Sequence, residues 1–123
     1  VVARPLLLLV LLLVTTSCGS RDDVPPDVRE AATLLEDGRP ADAYALLEKS
    51  IEGEPNAARL VAFAEACERL GRTRRGVRAI EQARALAPES HRALYVQALL
   101  DRDRQRPADA LEAARAAIAL EPD

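Results

Sequence analysis

Aromatic side chains are nearly missing from this 123-residue sequence, which has one Phe, two Tyr and no Trp, 2% in all. Each ring buries a large apolar area, and a globular core of this size ordinarily uses more of them. The apolar content is instead mostly Ala and Leu, the residues of highest helix propensity. Strands would want Val, Ile, Thr and aromatics, so the composition argues against a sheet and for closely packed helices. The fold class expected is all-α. Histidine is almost as scarce. The single one, His91, is expected in the turn before the third unit described below, and one histidine makes no His pair for zinc. A Gly-rich phosphate loop, a Ser-His-Asp set and a nucleophile elbow are also missing. Carboxylates are plentiful and are expected on exposed helical faces. No enzyme, no metal site and no cofactor is expected.

An excess of positive charge is lacking too. Lys and Arg number 17 against 20 Asp and Glu, a net charge of −3, which excludes the basic footprint of a nucleic-acid binder. One local exception is the cluster Arg69, Arg72, Arg74, Arg75 and Arg78. With Glu65, Glu68 and Glu81 nearby it reads as a solvated surface before it reads as a contact for an acidic partner or lipid headgroups. The run Asp101-Arg102-Asp103-Arg104-Gln105 has the outline of a calcium loop, but Arg106 stands where the turn glycine is required.

What is present is a repeat. Arg39-Pro40-Ala41-Asp42-Ala43 returns letter for letter as Arg106-Pro107-Ala108-Asp109-Ala110, with a degenerate copy, Arg72-Thr73-Arg74-Arg75-Gly76, between them at spacings of 33 and 34. A fixed period of this size marks stacked supersecondary units. In the same register Gly38 answers to Gly71 and Gln105, Leu47 to Ile80 and Ala114, Ser50 to Ala83 and Ala117, Ala31 to Ala64 and Ala98, and Pro55 to Pro88 and Pro122. Positions 43, 47 and 50 fall four and three apart, on one helical face. Pro40 and Pro107 suit the first position of a helix, where the missing N–H costs nothing. Each unit therefore reads as a helix, a short turn, a second helix and a terminating proline.

This pattern resembles the tetratricopeptide repeat, over about Val24 to Asp123. The resemblance implies a right-handed α-solenoid of three helix–turn–helix repeats, at about 24–56, 57–90 and 91–123, within a domain spanning 27–123. Its departures are the absent early Trp, the Leu34, Cys67 and Asp101 that hold the first helix's aromatic position, a closing turn one residue short in unit one, and Gln105 for the turn glycine. The family's groove is lined by the first helix of each unit. By register its candidates are Val28, Ala32 and Leu35, then Ala58, Val61, Glu65 and Glu68, then Arg92, Tyr95, Leu99 and Arg102. The Lys and Asn of the family's carboxylate clamp are missing, and Tyr95 is the one large amphipathic side chain among the candidates. The function implied is that of a protein–protein interaction scaffold or adaptor with a protein partner. The last helix, Ala108 to Leu120, carries Ala113, Ala114, Ala116, Ala117 and Ala119 with Leu111, Ile118 and Leu120. It is expected to be either a tolerated alanine-rich face or a contact with a second copy, as a homodimer, or with a partner.

The N-terminal segment reads as an address. After Arg4 and Pro5, Leu6 to Val14 carries no polar side chain. As a helix it would extend about 13 Å, too short for a hydrocarbon layer of about 30 Å, and it has the parts of a secretory signal. Val14-Thr15-Thr16-Ser17-Cys18 resembles the bacterial lipobox. That resemblance implies a signal peptide over 1–17, a covalent lipid on Cys18 and a tether over 18–26. With Gly19 next, it implies an outer-membrane lipoprotein facing the periplasm. The alternative is a soluble secreted or periplasmic repeat protein. With Cys18 acylated, Cys67 has no partner and is expected to be a small buried apolar residue.

Overall fold

The structure is a computed structural model that describes residues 24–120. The expected signal peptide, Cys18, all but the end of the tether, and Glu121–Asp123 lie outside the described residues. Among the described residues six helices follow one another, α1 (Pro26–Glu36), α2 (Pro40–Gly53), α3 (Ala57–Arg69), α4 (Thr73–Leu86), α5 (His91–Asp103) and α6 (Pro107–Leu120). They form an all-α helical repeat solenoid of three helix–turn–helix units.

Local chemistry sets the helix boundaries. Pro26, Pro40 and Pro107 each open a helix, where proline's fixed φ is already helical. Pro26, assigned to the tether from sequence, is thereby the first residue of α1. Asn56 caps α3 by accepting the Arg59 N–H at 2.8 Å, and Ser90 caps α5 by accepting the Ala93 N–H at 3.2 Å. The Ser90 cap corrects the placing of His91 in a turn, since His91 is the first residue of α5. Pro55 and Pro88 lie just past the ends of α2 and α4.

Within each repeat the first helix ends in the same left-handed turn. Arg39, Arg72 and Arg106 donate their N–H to the carbonyls of Leu34, Cys67 and Asp101, each at 2.8 Å. Gly38, Gly71 and Gln105 donate to Leu35, Glu68 and Arg102. This pair of bonds is the Schellman arrangement, and it requires positive φ at its central residue. Gly38 and Gly71 supply it at 73°, and Gln105 is driven to 58°.

Each first helix packs on the second helix of its own repeat, and α3 and α5 also pack on both helices of the repeat before. The central α3 is therefore surrounded, and every residue from Leu60 to Cys67 is buried. Leu47, Leu60, Ile80 and Leu100 are the largest fully buried side chains. Small residues let the helices close up. A Cβ on Gly76 would stand 2.9 Å from a Leu100 methyl and 3.2 Å from the Cβ of Cys67. Cys67 is fully buried, and burial pushes its thiol up to about 11. It behaves as a small apolar residue, because at neutral pH the reactive thiolate is suppressed.

One expectation about charge is corrected. Glu65 and Asp101 are buried, not solubilising, because the stacking of α3 and α5 encloses them. The five arginines of the cluster are all exposed, as a solvated surface requires, and three of them also make contacts between repeats. Arg75 ion-pairs with Glu48 at 2.7 Å and donates to the Tyr44 hydroxyl, Arg72 stacks 4.4 Å over the Tyr44 ring, and Arg69 donates to the Leu35 carbonyl. The cluster ties the second repeat to the first. Among the described residues no helix is long and apolar enough to cross a membrane.

Candidate functional site

A concavity of about 490 Å³ runs between α1 and α3. It arises because first helices of successive repeats lie side by side, bringing the same helical face forward in each. Val28 and Leu35 form one wall from α1, and Val61 and Ala62 form the other from α3. Ala32 and Ala58, both exposed, leave the mouth open. A volume of this order takes a few side chains, within the usual ~300–1,000 Å³ of ligand sites.

Polar groups stand at one end. The Glu65 carboxylate accepts a hydrogen bond from Arg92 of α5 at 2.7 Å, and Arg69 lies 3.6 Å from its other oxygen. Arg69 also donates to the Leu35 carbonyl, where a cation meets the negative end of α1. The Arg92 side chain lines the groove and remains 56% exposed. Glu36 completes the rim. The arrangement has an aliphatic floor and a guanidinium pair at one end. It can bury an apolar side chain while donating hydrogen bonds to a carbonyl or carboxylate.

The remaining candidates sit further along the stack. Glu68 of α3 meets Arg102 of α5 at 3.5 Å. Burial, and then a hydrogen bond shared with Asp103, raises the Glu68 pKa above the usual carboxylate value. Tyr95 is half exposed with Arg92 5.9 Å from its ring, and Leu99 is half-buried. Neither Tyr95, Leu99, Arg102 nor Glu68 lines the α1–α3 groove. Sequence reasoning placed one continuous surface along all three repeats. Glu68 and Arg102 of that surface pair with each other across α3 and α5 at 3.5 Å. Arg69 and Glu36 were not singled out as lining residues, and the signal for them was their position one residue beyond Glu68 and Leu35 in the same register.

Val24 also lines the groove, held from behind by Arg29, which donates to the Val24 carbonyl at 3.2 Å. Asp101, part of the calcium-loop outline, belongs to α5. It lies 3.7 Å from Arg104, and its Oδ2 has no hydrogen-bond partner. Among the described residues no three His, Cys, Asp or Glu side chains gather as a metal site would require. No curated protein matches the chain. The family model described as Tetratricopeptide repeat matches residues 34–100, more than half of the sequence.

Proposed function

Because the chain belongs to the tetratricopeptide repeat family, whose repeats generally serve protein–protein interaction without catalysis, we propose that it is a non-catalytic adaptor that binds a partner peptide in the α1–α3 groove. The observation that carries this reading is the aliphatic groove of about 490 Å³ closed at one end by Arg69 and Arg92 around Glu65. The ligand class that fits is an extended segment inserting an aliphatic side chain between Val28 and Val61 and presenting a carbonyl or carboxylate to Arg92.

The adaptor works from a membrane surface in the bacterial envelope. The support is the sequence alone: an apolar stretch too short to span, ending in Ser17-Cys18. Acylation of Cys18 with two or more chains would anchor it stably, where a single chain would hold only marginally. Gly19 favours the outer membrane, facing the periplasm. The groove would then lie close to the headgroups, since the seven residues 19–25 between Cys18 and α1 reach at most about 25 Å.

Two measurements test this. Ala32 and Ala58 are exposed at the groove mouth, so Ala32→Trp or Ala58→Trp blocks it without touching the core. Partners captured from the cell envelope by the wild-type chain should be lost with either variant, and an unchanged set of partners rejects the groove. Acyl labelling of wild type against Cys18→Ala should show lipid on the first alone. An unlabelled, soluble wild type leaves the secreted form without an anchor.

A further inference from the structure

The two joints between repeats are made from equivalent helices, α2, α3 and α4 at the first and α4, α5 and α6 at the second. The first joint is filled by its own side chains. The Tyr44 ring packs 4.9 Å from Phe63, and Cys67 is fully buried. Arg75 reaches over from α4, pairing with Glu48 at 2.7 Å and donating to the Tyr44 hydroxyl.

At the second joint the same positions hold other chemistry. Val77 stands for Tyr44, Gln97 for Phe63 and Asp101 for Cys67. Glu81 keeps the place of Glu48, but Asp109 stands where Arg75 was. Both rings are gone, and a second carboxylate replaces the bridging guanidinium. The result is an open cleft of about 360 Å³ with Glu81, Asp101, Asp109 and Glu112 in its lining. It adjoins a recess of about 180 Å³ that shares Glu81 and Asp101 and is walled by Val77, Ile80 and Leu100. All three helices are present at both joints, so the cleft lies inside the stack and is not its end.

Charge selects the occupant. Among the described residues Glu81, Asp109 and Glu112 take part in no ion pair. Asp101 is 5% exposed, with Arg104 at 3.7 Å, beyond hydrogen-bond range, and Oδ2 unpartnered. A buried carboxylate in this state is destabilising, and a donor brought in from outside would offset that cost. Three arginines share the lining. Arg84 is committed to Gln97 at 2.6 Å, Arg104 is the distant neighbour of Asp101, and Arg106 is exposed. Four carboxylates against three guanidiniums leave one negative charge in excess. Among the described residues no three acidic side chains gather as a metal ion would require. The fit is to a larger cation with several donors. Guanidinium has five N–H groups in one plane, and the aliphatic stem of arginine suits apolar walls.

We propose that the cleft between repeats two and three receives an arginine side chain of a partner protein, held by Asp101 and Glu81 much as Glu48 holds Arg75 at the first joint. No residue of this cleft lines the α1–α3 groove, so each site can fail alone. The probe is a terminally blocked tripeptide of one arginine between two glycines, compared with the same peptide carrying citrulline, its uncharged isostere. Titrated into the full chain and followed by NMR, the arginine peptide should give saturable amide shifts around Glu81 and Asp101, and citrulline should bind at least tenfold more weakly. Asp101→Asn should weaken the arginine peptide about tenfold, as for a charge-assisted hydrogen bond. The exposed Glu81→Gln should weaken it about threefold. Asp109→Arg sets the chain's own arginine in the register of Arg75, and should abolish binding while raising the thermal midpoint. Ala32→Trp, in the other groove, should change nothing, and circular dichroism checks that each variant keeps its helices. Absence of saturable shifts, equal response to the two peptides, or full binding by both Asp101→Asn and Glu81→Gln overturns the proposal. So does tighter binding of free arginine than of the blocked peptide, since that assigns the cleft to a small molecule.

Discussion

Asp27 on α1 accepts a hydrogen bond from Arg59 Nε on α3 at 2.8 Å, joining the first helices of two successive repeats. Both side chains are largely enclosed, at 17% and 16% exposure. The guanidinium holds the Asp27 pKa below its ordinary 3.8.

A depressed acid pKa stabilises the fold above the unfolded value and loses that contribution as pH falls through the folded one. Asp27→Asn should therefore cost about 1 kcal/mol near pH 7, as expected for one charge-assisted hydrogen bond of partial exposure. The difference from wild type should shrink as pH falls below 3.8 towards the lowered folded pKa, so that it is smaller at about pH 3 than at pH 7. Urea midpoints of the two proteins at both pH values check this, and a pH-independent gap would assign the cost to packing.

Gln105 occupies the left-handed turn position that Gly38 and Gly71 fill in the other repeats. A residue with a Cβ is strained there by roughly 1–2 kcal/mol, less the extra chain entropy of glycine. Gln105→Gly should raise stability by about 0.5–1 kcal/mol. A thermal midpoint that stays put or falls would show that Gln105 makes a compensating contact.

Asp101 is 5% exposed and sits in the register of Leu34 and Cys67, with Arg104 at 3.7 Å and Oδ2 unpartnered. Replacing a poorly matched buried charge with an apolar group of similar volume is often neutral or stabilising by about 1–4 kcal/mol. Asp101→Leu should stabilise the third repeat by about 1–2 kcal/mol, read as a raised urea midpoint. A loss of stability would mean the carboxylate is held better than its single pairing indicates.

Gly76 separates α4 from Leu100 and Cys67 by less than a methyl group's width. Gly76→Val should cost about 1–3 kcal/mol through overpacking. Leu100→Ala should recover part of that cost in the double variant, a coupling measurable by a double-mutant cycle. Simple additivity of the two would place the strain elsewhere.

Much of the fold was written in spacing. The columns Gly38/Gly71/Gln105 and Leu47/Ile80/Ala114 report backbone geometry and helix-face position, both local and periodic. Contacts that depend on how one repeat is set against the next were not legible. Glu65 was placed in the groove by register, but its pairing with Arg92 appears only when α5 is set across α3. Asp101 carried a signal, since its column is otherwise apolar, but a column does not say whether its third member stays buried. The arginine cluster is exposed as read, but the contacts of Arg72 and Arg75 to Tyr44 and Glu48 were not legible because those partners lie about thirty residues upstream. His91 was misplaced for a simpler reason: the capping hydroxyl of Ser90, one residue earlier, was not weighed.

The unbroken burial of α3 from Leu60 to Cys67 has a kinetic counterpart. A helix enclosed on all sides opens only when the stack opens, so its amides exchange with solvent at a rate set by global unfolding. A terminal helix such as α1 is released by local fraying at far lower cost. The wall that α3 gives the α1–α3 groove should therefore open at higher cost than the wall given by α1, which is covered on fewer sides. Occupancy of the groove would register as slowed deuterium uptake in α1, with α3 unchanged. The partner would then act as a clasp, holding the loose end of the stack against its fixed middle.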